Sequence, residues 1–396
     1  MRAVTVVGAS LAGLTAVRSL RRHGFDGRIT VVGAERHRPY DRPPLSKDVL
    51  LGKAAVADLA LHDDEEEAEL AAEWVLGRPA VALDPRRRSV RLAGGREVVS
   101  DGVVVATGAA PRRLPGSEGM AGVHTLRTLD DAEALRAELG RGRPSVVVVG
   151  GSFIGAEIAS SCGALGLDVT VVEAAPLPLA PVLGGRMARV CAALHADNGI
   201  RLLCGVQVAG LVGGGGRVAG VRLADGRLLP ADVVVVGIGV LPGTEWLAGS
   251  GVRTAQGVVC DPGCRTSVPG VVAAGDVARI QWPGRSPERR VEHWSNAAEQ
   301  PDVAVRNLLA GSAVAESRHV PYFWSDQYGV RIQFAGSAAP GDEVRIEEGD
   351  PEERSFAAVY LRGGEARAVL AMNRPRPFAR LRRRLPASGP PVPAEA

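Results

Sequence analysis

Cysteine is scarce in this 396-residue chain: there are five, none before Cys162. Cys162, Cys191, Cys204, Cys260 and Cys264 form no C-x-x-C pair, and so sparse and odd a set offers no disulfide framework. Cys260 and Cys264 stand as C-x-x-x-C, and two ligands cannot complete a zinc site. The histidines, His62 and His195 among them, show no metal-ligand spacing, so no metal is expected. No apolar run reaches the ~18–20 residues of a membrane span. The longest, Val233 to Val240, is strand-sized. The start, Met1-Arg2 and then Val4-Thr5-Val6-Val7-Gly8, reads as a buried strand rather than a signal peptide. A cytoplasmic setting is the simplest expectation. Forty-seven basic against 44 acidic residues leave only +3, too little to imply nucleic-acid binding. The 50 glycines have no three-residue period, which excludes collagen. With 46% apolar and 23% charged residues the composition is globular, and the length suggests two to three domains.

What the chain does have is one pattern twice. Val4 to Val7 leads into Gly8-Ala9-Ser10-Leu11-Ala12-Gly13, a helical stretch from Leu14 to His23, a strand from Ile29 to Val32, and Glu35. Val146 to Val149 leads into Gly150-Gly151-Ser152-Phe153-Ile154-Gly155, a helix to about Leu165, and a strand Asp168 to Glu173. Strand, glycine turn, helix, strand and terminal acid are the parts of a βαβ dinucleotide site. A single such turn also occurs in unrelated α/β proteins; two with acids at matching strand ends point to two nucleotide domains.

Each part has a physical task. Gly8 permits the tight turn, and Gly13 lets helix and strand approach closely. The helix N-terminus offers free N–H groups and partial positive charge to a pyrophosphate. Glu35 is placed to accept from a ribose. Ser10 and Ser152 replace the middle glycine of the usual fingerprint. Glu173 would bond ribose hydroxyls and repel a 2′-phosphate. Ala174 to Pro178 contain no Lys or Arg to hold such a phosphate, which favours NADH over NADPH.

Elsewhere, Ser89 to Arg96 reads as a hairpin turning at Gly94-Gly95, and Val206 to Leu229 as a meander with a loop tip at Gly213 to Gly216. Val103 to Gly108, Val233 to Gly239 and Val271 to Asp276 read as buried strands ending in glycine. Pro111 to Gly119 reads as a linker. After about Glu316, Tyr322, Phe323, Trp324 and Tyr328 cluster, and Val330 to Phe334 and Ala357 to Leu361 alternate, as in a small antiparallel domain. Pro386 to Pro393 is proline-rich and expected to be disordered.

Several runs are more specific: Pro39-Tyr40-Asp41-Arg42-Pro43-Pro44-Leu45-Ser46-Lys47, Ala106-Thr107-Gly108-Ala109-Ala110-Pro111-Arg112, Leu126 to Ala132, Gly275-Asp276, Glu292-His293-Trp294-Ser295-Asn296-Ala297, and Phe323-Trp324-Ser325-Asp326-Gln327. In this order, from about residue 3 to 380, the chain resembles the FAD-dependent, NADH-dependent ferredoxin reductases of bacterial oxygenase systems. Such reductases feed electrons through a small iron–sulfur protein to cytochrome P450 or Rieske-type oxygenases.

The resemblance implies an α/β, glutathione-reductase-like fold of two Rossmann-type dinucleotide-binding domains and a smaller C-terminal α+β domain. The expected division is an FAD domain at 1–112 and 241–315, an NADH domain at 113–240, and the C-terminal domain at 316–396. Gly8, Ser10, Ala12, Gly13 and Glu35 would hold the ADP half of FAD. Arg42 and Lys47 would lie along its pyrophosphate and flavin. Val81, Thr107, Gly108 and Arg127 would line the same site. Asp276 would bond the ribityl chain or pyrophosphate, and the backbone at His293 and Trp294 the pyrimidine end. Gly150, Ser152, Phe153, Ile154, Gly155, Glu173, Ile238 and Gly239 would hold NADH. Lys47 and Glu157 would meet beside flavin N5, as catalytic partners or as an ion pair pinning two domains. Trp294 would shield the flavin, help electrons leave, or simply pack.

The cysteine shortage gains meaning beside this family. Related disulfide reductases need a redox pair, and related oxidases and peroxidases carry a cysteine within the segment matching Arg42 to Lys47. Cys162 reads as a small buried residue. Arg279, Arg285, Arg289 and Arg290, with Arg36, Arg38 and Arg42, form either a positive rim for an acidic ferredoxin or a solvated basic face. Arg374 to Arg384 is open in the same way. Alternatives are a reductase of another acceptor (rubredoxin, a quinone or oxygen) and a redox-sensing interaction protein like the apoptosis-inducing factors. A monomer or homodimer is expected, without nucleic-acid or membrane partners.

Overall fold

A computed structural model describes residues 1–282 and 289–387. The proline-rich tail from residue 388 and Arg285 lie outside them.

Two parallel sheets organise the molecule. The first runs Val271–Ala273, Gly102–Val105, Ala3–Val7, Arg28–Val32, Ala72–Val75. The second runs Arg201–Cys204, Val169–Glu173, Val146–Val149, Val233–Val236, Val123–His124. Their central strands are unbroken valine-rich runs because helices and smaller sheets cover both faces, leaving no solvent side to alternate with. In each sheet the strand bearing the glycine turn is central and the order reverses beside it. That is the switch point at which open α/β sheets bind ligands.

The helix after the first glycine turn spans Leu11–Arg22 and that after the second Phe153–Ala164. The first therefore begins three residues earlier than the sequence suggests. Gly13 belongs to its first turn rather than to the loop before it. The chain passes between the sheets twice, and the crossings pair antiparallel, Ala109–Pro111 with Val240–Pro242. Residues Val271 to Ala273 form a strand, but Gly275–Val277 is a 3₁₀ turn rather than its continuation.

A five-stranded antiparallel sheet, Tyr322–Gln327, Val330–Gly336, Glu365–Met372, Ser355–Arg362 and Glu343–Asp350, closes the chain. One face buries Ile332, Phe334, Phe356 and Tyr360 against Leu183, Met187 and Leu194 of the helix Ala180–Asp197. The other packs on Phe378 and Leu381 of the helix Pro375–Arg382. The sheet thus sits on a helix that belongs to the second parallel unit. Among the described residues, no helix is long and apolar enough to cross a membrane.

That junction contains a pH-sensitive contact. Tyr328 Oη lies 2.8 Å from Nδ1 of His195, which is buried. Burial pushes His195 down from 6.5 to about 4. The folded protein therefore refuses a proton that the unfolded chain accepts. Stability is fully present above the unfolded value and is lost as pH falls toward 4, by up to about 3 kcal/mol. In urea melts at pH 7 and 4.5, His195→Gln is expected to flatten this loss. An unchanged pH dependence would assign it to other groups.

Candidate functional site

At the first turn, Gly8 has φ +123° and a Cβ there would stand 2.0 Å from the Ala106 carbonyl oxygen. A Cβ on Gly13 would stand 1.8 Å from the Gly8 oxygen. Backbone fills both places, so only glycine fits. Ser10 occupies the N-cap position without capping the helix through its side chain. Its hydroxyl instead accepts from Arg42 Nε at 3.2 Å. The helix Trp294–Ala310 likewise starts without a side-chain cap, and no acid lies in its first turn. Both N-termini converge on Gly275, whose Cβ would lie 2.9 Å from that of Ala12 and 3.9 Å from that of Ala297. Two uncapped helix ends beside one another form an anion-attracting floor.

Charged side chains wall this floor. Arg42 pairs with Glu35 at 2.5 Å and donates to the Arg127 carbonyl. Arg127 pairs with Asp276 at 2.6 Å. Tyr40 Oη donates to Glu35 at 2.5 Å and accepts from the Leu129 N–H at 2.9 Å. Although burial opposes it, Glu35, Tyr40 and Asp276 hold the Arg42 guanidinium above its ordinary pKa. Thr107 Oγ1 donates to the Gly243 carbonyl at 2.6 Å, and Gly108 faces Arg127. His293 stands at the N-cap of the last-named helix, with Nδ1 buried and unpartnered. Burial pushes it down to about 4, so it is neutral at pH 7. Trp294 is 39% exposed; its Nε1 donates to Asp41 at 2.7 Å and its ring meets Trp324 edge-on.

Lys47 Nζ and Glu157 Oε2 are 2.8 Å apart. Glu157 is only 3% exposed and accepts three further hydrogen bonds: from Ser46 Oγ at 2.5 Å, Ser325 Oγ at 2.8 Å and the Asp326 N–H at 3.1 Å. One carboxylate therefore joins the Pro-Pro-Leu-Ser-Lys run, the second nucleotide helix and the C-terminal sheet. Ser46, Ser325 and Asp326 received no role from the sequence. Their position inside the two most specific runs was the available signal.

The second turn repeats the glycine logic. Gly150 has φ +106°, with the Gly237 oxygen 2.4 Å from where its Cβ would be. Gly155 would strike the Gly150 oxygen at 2.1 Å. Here the serine does cap: Ser152 Oγ accepts from the Gly155 N–H at 3.1 Å and donates to the Gly237 carbonyl at 3.2 Å. Glu173 folds onto the loop, accepting from the Gly151 and Ala175 N–H groups, each at 2.7 Å. Ile154 and Ile238 are exposed at the mouth, beside Gly239. Phe153 packs on Phe323 with ring centroids 4.6 Å apart, and Phe323 on His293 at 5.0 Å. This aromatic row ties the second turn to the end of the first site.

The remaining expected positions can now be placed. Val81 lies on the small antiparallel sheet and is 46% exposed. Arg42 and Arg38 are not a free rim. Arg42 is held inside the site by Glu35, and Arg38 pairs with Asp64 and Glu67. Arg290 pairs with Glu292 and donates to the Asp276 carbonyl at 3.0 Å. The thiols of Cys162, Cys191 and Cys260 are buried, which raises each to about 12, and Cys264 is fully buried as well.

Comparison with known proteins decides the family. Residues 2–300 match the model of the pyridine nucleotide-disulphide oxidoreductases, and residues 322–396 match that of the reductase C-terminal domain. The chain belongs to this oxidoreductase family. Among its family relatives is a probable ferredoxin reductase, CtmF, of Castellaniella defragrans, 38% identical over 95% of this chain and 91% of that protein. The ferredoxin–NAD(+) reductase component of the biphenyl dioxygenase system of Paraburkholderia xenovorans is 37% identical over 95% and 91%. Among solved structures, the covalent putidaredoxin reductase–putidaredoxin complex superposes with a TM-score of 0.90 at 32% identity, covering 97% of this chain and 94% of that one. Its place is thus with the ferredoxin reductases of oxygenase systems, and its glutathione-reductase-like architecture is the one the motif runs imply.

Proposed function

We propose that this oxidoreductase carries FAD, accepts a hydride from NADH, and delivers single electrons to a small iron–sulfur ferredoxin serving a cytochrome P450 or Rieske oxygenase. The observation that carries the reading is the junction at Glu157. It ties the Pro-Pro-Leu-Ser-Lys run, which follows the first nucleotide unit, to the helix after the second glycine turn and to the C-terminal sheet, an arrangement in which two dinucleotides would meet end to end.

The residues present fit a resident FAD at the first turn. Gly8 and Gly13 let the turn close tightly under the helix start, two helix ends lack side-chain caps, and Arg42 and Arg127 supply positive charge. Gly8, Ser10, Ala12, Gly13 and Glu35 would hold its ADP half, with Arg42, Thr107, Gly108, Arg127 and Asp276 along its length. His293, Trp294 and the helix they begin would face its pyrimidine end. Bound FAD supplies the exchange between hydride and one-electron chemistry. Lys47 would reach the site while paired with Glu157 at 2.8 Å. Phe153, Phe323 and Trp324 keep water from the seam between the turns. The second turn, with Glu173, orients NADH. A cytoplasmic location belongs to the same reading.

Anaerobic stopped-flow mixing tests it. NADH should bleach the flavin band near ~450 nm within the enzyme's turnover time, and an added [2Fe–2S] ferredoxin should restore it. Failure of every ferredoxin, with rapid return by a quinone or oxygen, would overturn the assigned acceptor. A second expectation concerns coenzyme choice. Glu173→Gln keeps an acceptor for the loop but removes the charge. The preference for NADH over NADPH in kcat/KM is expected to fall about tenfold, the scale of one charged hydrogen bond. An unchanged ratio would reject the ribose role.

A further inference from the structure

The two turns are unequal in charge. The first has Arg42 and Arg127 beside it. The second, read as the NADH site, must hold an equally anionic pyrophosphate. Yet no Lys or Arg occurs from Gly150 to Gly155 or from Ala174 to Pro178. Its one contributed charge, Glu173, is negative. Neutral N–H donors there are also partly used, because Ser152 caps its own helix and Glu173 takes the Gly151 N–H.

One cation adjoins this turn from outside the unit. Gly150 packs on Gly237 and the Ile238 N–H, and the next glycine, Gly239, has φ +98°. A Cβ on Gly239 would lie 3.9 Å from both Cδ and Nε of Arg112. Arg112 is thus a basic side chain lying against this turn. Its main chain is fixed, since its N–H donates to the Gly239 carbonyl at 2.9 Å where the two crossing strands pair. Its guanidinium is exposed and has no ion-pair partner among the described residues. The main chain is thus anchored while the charge is left for a ligand.

We propose that Arg112 is the counter-charge for the NADH pyrophosphate, a substrate-binding residue supplied by the crossing strand rather than by the glycine turn. This rests on the reading of the second turn as the NADH site. A guanidinium suits the task, since its planar fork matches two phosphate oxygens. It also means that the coenzyme, on binding, bridges the second unit and the strand that connects it to the first.

The test is inhibition of NADH–ferricyanide turnover by the flavin-loaded enzyme, using ADP-ribose and adenosine as competitors. Arg112→Gln is expected to weaken ADP-ribose about tenfold and to flatten its salt dependence, while the adenosine constant stays put. Arg112→Lys should fall between. Arg113→Gln, one residue along and equally cationic, should have little effect. An unchanged ADP-ribose constant in Arg112→Gln overturns the proposal, and so do equal losses in the two neutral variants, which would indicate a diffuse field. If the unsubstituted enzyme shows no competition by ADP-ribose at all, the assignment of the site to NADH falls instead.

Discussion

Glu157→Ala is expected to lower the stability of the flavin-loaded enzyme by about 3–5 kcal/mol, the cost of leaving a buried pair half broken. The removed carboxylate accepts from Lys47 Nζ, Ser46 Oγ, Ser325 Oγ and the Asp326 N–H. All four donors lose their acceptor at once, in a place where Glu157 leaves only 3% of its surface to water. Guanidinium unfolding followed by flavin release measures the loss. Glu157→Gln separates charge from shape. It keeps the volume and one acceptor but strands the Lys47 ammonium, so it should recover part of the stability and little of the rate of flavin reduction by NADH. The double variant with Lys47→Met should be less impaired in stability than the two single losses summed, because neither charge is then left alone. A loss below about 1 kcal/mol for Glu157→Ala would mean that water satisfies the donors and that the junction is not held by this carboxylate.

Gly13→Ala is expected to yield protein without flavin. The new methyl group would sit 1.8 Å from the Gly8 carbonyl oxygen, and that neighbour is backbone, which cannot swing aside. Either the helix Leu11–Arg22 lifts from its strand or the turn opens. Both destroy the surface on which a pyrophosphate would rest. Gly116→Ala is the matched control. It has φ +75° but nothing within 4 Å, so it should cost only about 1 kcal/mol of backbone strain and retain full flavin. The ratio of absorbance at about 450 nm to that at 280 nm in the purified proteins reads the difference directly. A fully yellow Gly13→Ala would remove the first turn from the FAD site.

The duplicated units were legible because parallel strands covered on both faces become plain valine runs, and because glycine at Gly8, Gly13, Gly150 and Gly155 answers a steric demand that nothing else meets. The same residue misled at the helix start, where Gly13 reads as loop although it is helical. Contacts between distant segments were not legible by spacing. Ser46, Lys47 and Ser325 reach Glu157 across 111, 110 and 168 positions, and only the resemblance suggested that Lys47 and Glu157 meet. Charge was legible and its pairing was not. Arg38 and Arg42 count as basic in the sequence, yet each is answered by a carboxylate. Val81 was assigned by the resemblance alone, with no local signal behind it.

The paired crossings at Ala109–Pro111 and Val240–Pro242 bring the two ends of the intervening segment side by side, as a graft between homologous enzymes requires. Its helix Ala180–Asp197, however, is also the floor beneath the closing antiparallel sheet. A chimera built to change coenzyme preference would therefore inherit a mismatched seam unless residues 322–385 were transplanted from the same donor.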